Sequence, residues 1–395
     1  MGTVGKYREL VDRFIAIKLL PIGLFVFLAF NFLVLSRSSY KTFVYVALFL
    51  PALIICVTLA NDQVELYKKS IGLRLLAIFV VYMSFSSLWA SDSDGVNYFK
   101  RASYVLLFTV AWLRFRPSWD RFYTLFDIAA TIASIAVLIY IYDFYWQEGM
   151  SFSERIYGGN SFINPLLSGS MLGVFVCYIF IRMLQYFGTS KKWLVFAGVL
   201  IPLLWFVWLT GSRTPLLGIA IVVLMQPFYY RGSTRILWIV SILCCICTVM
   251  YIGSHHVFGR GFSLRFDIWL SIIDFWSNAI WIGNGMGNEI RIPVDNKVFL
   301  DPHNYHLAVG YYGGMIGFFL WVTCLLWSAR SVLKCDSKTY ARIAIALLVY
   351  GVVASSFDGS SFMGRPSEVW FILWLPIALC LKAEFDTKAD KPIAH

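Results

Sequence analysis

Apolar residues along this chain come in long unbroken stretches, not in the alternation of a half-buried strand or the stripes of a soluble helix. A helix needs about 20 consecutive apolar residues to cross a bilayer, because lipid offers no partner to backbone N–H and C=O groups. Twelve stretches meet or approach that length: 14–35, 42–60, 71–90, 102–116, 122–146, 162–186, 193–210, 214–230, 236–253, 304–327, 341–359 and 367–383. None has the period-two pattern of a membrane β-strand. The pattern predicts an all-α integral membrane protein of about 12 transmembrane helices, forming a single polytopic domain over 1–395.

Composition agrees. Of 395 residues, 59% are hydrophobic and only 14% charged, and mean hydropathy is +0.71, which excludes both a soluble globular domain and a disordered chain. The net charge of +11 does not indicate nucleic acid, since the basic residues are scattered instead of clustered on one stripe. Membrane lipids are the expected surroundings. With the N-terminus placed inside, 22 of the 33 Lys and Arg residues fall on the cytoplasmic side, as the positive-inside rule requires. Both termini are therefore expected in the cytoplasm. The first apolar run does not read as a cleavable signal, because no small-x-small site ends it. The eight cysteines lie mostly within the runs, and suggest neither a disulfide framework nor a metal pair.

One connection breaks the regularity. Residues 254–303 form a long outside loop, and loops of that length inside a compact domain are usually functional. From Ser263 to Ile280, the residues Phe266, Trp269, Leu270, Ile273, Trp276 and Ile280 recur at spacings of three and four. That predicts an amphipathic helix with Ser263 as its cap. Two readings stand: an interfacial helix lying on the membrane, or a wall over an outward-facing site. Gly283-Asn284-Gly285-Met286-Gly287 follows and predicts a tight turn, since its GxGxG spacing is not a dinucleotide fingerprint.

Three polar positions stand out against this apolar background. Arg213 sits in the short connection Thr210-Gly211-Ser212-Arg213-Thr214-Pro215, with Pro215 in the first turn of the next helix and Ser212 or Thr214 as cap. A guanidinium beside free helix amides suits an oxyanion, although a lipid-phosphate anchor would use the same residue. Arg265 offers a second such cation, or a salt bridge with Asp267. His303, in Asp301-Pro302-His303-Asn304-Tyr305-His306, is suited to proton transfer near neutral pH; Asn304 and His306 are secondary candidates beside it. His255, His256, His303, His306 and Asp301 do not match a metalloprotease spacing, so neither metal nor cofactor is expected.

Together these residues resemble the family of bacterial O-antigen ligases and polymerases. His303-Asn304, nine residues, then Gly314-Met315-Ile316-Gly317 matches the His-[Asn/Ser/Gln]-x9-Gly-x-x-[Gly/Thr/Tyr] signature of O-antigen ligases. Arg213 matches the arginine of a short outside connection, and Arg265 before Trp269 a loop arginine. The resemblance implies a GT-C-type glycosyltransferase in a Gram-negative inner membrane, with its active site facing the periplasm. It further implies transfer of O-antigen glycan from an undecaprenyl-diphosphate-linked donor to a lipid A–core acceptor, a step of lipopolysaccharide biosynthesis using neither nucleotide sugar nor metal. His303 would take the acceptor proton, and Arg213 and Arg265 would bind the diphosphate.

Residue chemistry alone leaves three alternatives. An O-antigen polymerase or a protein O-oligosaccharyltransferase of the same family would make similar demands on base and cations. A multi-span transporter or lipid flippase would instead use ionisable groups within the spans. Asp127 and Asp143 are the residues that favour it.

Overall fold

The structure, a computed structural model, describes residues 14–386, apart from 34–35, 59, 92–94, 116–118, 159–163, 296, 358, 360 and most of 230–263. Eight of its helices are long and apolar enough to cross a membrane: α1 (Ile15–Phe32), α2 (Arg37–Thr58), α4 (Ile71–Trp89), α6 (Asp120–Gln147), α7 (Pro165–Tyr186), α8 (Lys192–Leu209), α11 (Tyr305–Val332) and α12 (Lys338–Ser355). Between them run α3 (Ala60–Lys69), α5 (Gly95–Arg114), α9 (Arg213–Leu224) and α10 (Arg265–Ser277), and the described chain closes with α13 (Glu368–Ile372) and α14 (Trp374–Asp386). The fold is that of an all-α integral membrane protein, with one small β-hairpin among the described residues.

Eight of the twelve expected spans are thus matched by membrane-length helices. The run at 102–116 overlaps the second part of α5, whose first two turns carry Asn97, Lys100 and Arg101. The run at 214–230 gives only the shorter apolar helix Arg213–Tyr229. The run at 367–383 is broken at Leu373. Pro376 has no N–H to return to the carbonyl of Ile372, so the continuous ladder fails there. The expected span at 236–253 lies outside the described residues.

The long loop builds a small core of its own. In α10 the buried face is Ile268 and Ile272, packed with Ile290, Ile292, Val294 and Tyr311. The stripe predicted from sequence is largely the other face: Phe266, Leu270 and Ile273 are exposed. The helix has two apolar sides, and only the less obvious one meets protein. It begins at Arg265 after a Leu264 N-cap that supplies no side-chain bond; the expected cap, Ser263, lies outside the described residues. The partner surface is a hairpin of β1 (Ile292–Val294) and β2 (Lys297–Phe299), antiparallel with Ile292 opposite Phe299. Its turn puts Asp295 at φ +48°, a region Asp tolerates better than most residues.

The predicted glycine turn is present, with Gly283, Gly285 and Gly287 at φ +70°, +86° and +99°. It docks on a break in α11, where Gly314 takes φ +62° and ψ −165°, a conformation essentially restricted to glycine. The break frees backbone groups that the loop satisfies. Asn284 and Gly285 N–H donate to the Tyr311 and Tyr312 carbonyls at 2.8 and 2.9 Å, while Met315 and Ile316 N–H donate to Ile280 and Trp281 at 2.8 and 3.2 Å. A buried backbone group without a partner is costly, so the two segments hold each other. Tyr82 and Trp89 of α4 add bonds to the carbonyls of Gly313 (2.8 Å) and Gly283 (3.2 Å).

Candidate active site

The run Asp301-Pro302-His303-Asn304 leads from the hairpin into α11. Asn304 is the N-cap: its buried side-chain oxygen accepts from the N–H groups of His306 and Leu307 at 2.9 and 3.0 Å. The secondary candidate therefore terminates a helix, which explains why a short polar residue follows the histidine. His303 itself has φ +50°, costing an L-residue about 1–2 kcal/mol. Asp301 stabilises this conformation, since its Oδ1 accepts the His303 N–H at 2.7 Å. The same oxygen lies 3.8 Å from His303 Nδ1. A carboxylate on the Nδ1 side orients the ring and leaves Nε2 for chemistry. The indole N–H of Trp269, on α10, donates to the Pro302 carbonyl at 3.1 Å, tying the loop helix to this turn.

His303 and Asp301 line a cavity of about 440 Å³, shared with Asn164, Arg37, Lys41, Arg101 and Arg365. The cations come from the first turns of α2, from α5 and from the segment before α13. Arg37 is paired with the buried Glu368 at 2.6 Å. Arg101 lies over the Tyr98 ring, 5.0 Å from its centroid. Among the described residues no carboxylate pairs with Lys41, Arg101 or Arg365. The cavity thus joins a half-exposed imidazole to positive charge that the protein leaves largely unneutralised. Asn164 caps α7 by accepting the Leu166 N–H at 2.9 Å, so the start of a long helix adds its dipole to the same wall.

His306 is placed quite differently. Its Nδ1 accepts the Trp321 indole N–H at 2.9 Å, and its Nε2 lies 3.1 Å from the Val352 carbonyl and 3.2 Å from Ser355 Oγ. Trp321 fixes the tautomer, because an indole N–H can only donate. Both ring nitrogens are thereby engaged in joining α11 to α12, whereas His303 faces the cavity.

Neither Arg213 nor Arg265 lines that cavity. Arg213 is exposed as the first residue of α9. Its connection is fixed by Arg155, which donates to the Thr210 and Gly211 carbonyls at 2.9 and 2.6 Å. Ser212 occupies the expected N-cap position but its hydroxyl makes no cap bond and is buried without a partner. The first-turn amides of α9 therefore receive no side-chain cap from Ser212. Arg265 opens α10, half-buried and one turn before Trp269. The structure thus groups His303 with Asp301 and four cations that the motif reading did not single out. Those four belong to the 11 Lys and Arg residues left on the outer side by the charge sort, and this minority position was the available signal.

His255 and His256 lie outside the described residues. Among the described residues, no three His, Cys, Asp or Glu side chains group as a metal would require. Asp127, one of the two residues favouring transport, forms a two-point pair with Arg182 at 3.2 and 2.9 Å and accepts the Tyr178 hydroxyl at 2.7 Å. It is a satisfied link between α6 and α7.

The chain matches no protein-family model. It is, however, 29% identical over 392 residues to a protein named O-antigen ligase from Pseudomonas aeruginosa, covering 95% of this chain and 93% of that protein. The similarity extends across nearly the whole of both chains, and it agrees with the resemblance of the motif that runs from His303 through the α11 break to Gly317.

Proposed function

We propose that this protein is an O-antigen ligase, joining a completed glycan to the lipid A–core in lipopolysaccharide biosynthesis. The donor is the glycan on undecaprenyl diphosphate, and the acceptor is a sugar hydroxyl of the core. The observation that carries the reading is His303: half-exposed, held in a strained backbone conformation by Asp301, and opening on a cationic cavity. Strain of this kind persists where the surroundings over-determine it, as at active sites.

In the reaction the bond between the anomeric carbon and the diphosphate oxygen breaks as the acceptor oxygen attacks from the opposite face. The hydroxyl proton passes to His303 Nε2, and undecaprenyl diphosphate leaves with the bonding pair. A base positioned this way contributes roughly 10²–10⁴-fold. Arg213, beside the first-turn amides of α9, and Arg265 hold the diphosphate and stabilise its developing charge. Fixed cations take the place a divalent metal would otherwise fill, so the reaction needs no metal; the single displacement from the opposite face inverts the anomeric carbon. The polypeptide makes twelve crossings in a GT-C-type arrangement, with both termini cytoplasmic and the cavity facing the periplasm.

The test is transfer by purified protein in detergent, with undecaprenyl-diphosphate-linked glycan, lipid A–core and EDTA. Wild type should yield glycosylated core, and His303→Ala should lose that product while keeping its fold. Lengthening of the donor glycan without transfer to core would replace this reading with a polymerase. Retained anomeric configuration would rule out the one-step displacement.

A further inference from the structure

The cavity beside His303 contains more positive charge than its structural contacts require. Arg37 has its partner in Glu368. Lys41, Arg101 and Arg365 come from three separate parts of the chain, line the same cavity as His303, and have no carboxylate partner among the described residues. Holding three like charges around one space raises the energy of the folded protein. An anion entering that space removes the cost, and guanidinium groups suit a phosphate because they offer paired donors. Asn164 and the capped start of α7 line the same space and favour the same sign of ligand.

We propose that Lys41, Arg101 and Arg365 form a phosphate-binding subsite next to His303, separate from Arg213 and Arg265. The proposal rests on the transfer reaction above, because it assigns the bound phosphate to one of the two lipid substrates. That phosphate is either a phosphate group carried by the acceptor, with the donor diphosphate left to Arg213 and Arg265, or the donor diphosphate itself, bound here in place of those two arginines; both present the same anionic oxygens. A phosphate held here places its substrate against the Nε2 face of His303. The three side chains bind and position; they take no part in proton transfer.

The experiment compares full-length wild type with Lys41→Gln, Arg101→Gln, Arg365→Gln and the triple variant in detergent. Arg291→Gln, which removes an exposed pair with Glu289, is the control. The first measurement is the rise in unfolding temperature produced by inorganic pyrophosphate. Wild type and the control should be stabilised, and the triple variant should need at least tenfold more pyrophosphate for the same rise. The second measurement is KM for each substrate, with acceptor used both intact and after phosphatase treatment.

An acceptor phosphate predicts a tenfold or greater rise in acceptor KM that disappears with the dephosphorylated acceptor. The donor diphosphate predicts the rise in donor KM with either acceptor. In both cases kcat stays within about threefold, unlike His303→Ala. Unchanged pyrophosphate response together with both KM values within twofold of wild type would overturn the subsite. If wild type transfers nothing to core, yet the triple variant loses its pyrophosphate response, the transfer reading fails and the subsite stands. Should the triple variant not fold, Arg365→Gln at an exposed position gives the same readouts.

Discussion

Replacing Gly314 by alanine should separate the long loop from α11. The residue occupies φ +62°, ψ −165°, where any side chain costs about 1–3 kcal/mol. A Cβ would also lie 2.3 Å from both the carbonyl carbon and oxygen of Trp281 and 2.5 Å from Gly283 N. All three are backbone atoms, so no side-chain rotation relieves the overlap. Relief requires residues 280–285 to withdraw, giving up four backbone hydrogen bonds worth about 0.5–1.5 kcal/mol each. The smallest combination, about 3 kcal/mol, corresponds to roughly a hundredfold change in a local opening equilibrium.

Hydrogen–deuterium exchange reads this directly, because the four donors are the amides of Asn284, Gly285, Met315 and Ile316. Their exchange should accelerate about a hundredfold or more, and transfer should fall because α10 and the hairpin lose their seat beside His303. Gly198→Ala is the internal control. A Cβ there meets nothing within 4 Å, so the change should be neutral or stabilise α8 by about 0.5–1 kcal/mol. Exchange in Gly314→Ala within threefold of wild type at all four amides would refute the interlock.

Three further substitutions test the remaining assignments. His306→Phe should leave the Trp321 N–H unpaired and cost about 1–3 kcal/mol, seen as a lower unfolding temperature, while transfer persists at permissive temperature. Trp269→Phe removes the bond to the Pro302 carbonyl but keeps a ring near Phe357; kcat should fall up to about tenfold, equivalent to about 1.4 kcal/mol, with donor KM unchanged. Asp127→Asn leaves Arg182 without its counter-ion, and should cost stability toward the lower end of about 3–5 kcal/mol, because Asp127 is 25% exposed. Loss of function at full stability in that variant would instead favour transport.

Much of this architecture is legible along the chain because its causes are local. A membrane helix must satisfy its own backbone, so the apolar runs mark the helices, and a turn that needs positive φ uses glycine, as at Gly283, Gly285 and Gly287. The loop helix was also legible, but its orientation was not. The apolar stripe through Phe266, Leu270 and Ile273 is the exposed one, since period alone cannot say which of two apolar sides meets the protein. The hairpin at 292–299 was missed because three-residue strands leave almost no alternation to detect.

The sequence by itself determined that this is a polytopic helical membrane protein, that its long loop contains a helix followed by a glycine turn, and that His303 immediately precedes an apolar run. Only the tertiary structure decided which histidine faces a cavity, since His303 and His306 are three residues apart and differ in what α12 and Trp321 bring to them. It also decided that Lys41, Arg101 and Arg365 share that cavity. Residues separated by up to some three hundred positions meet only when helices pack, and helix packing depends on the whole surface of each helix. Local spacing contains no record of that meeting.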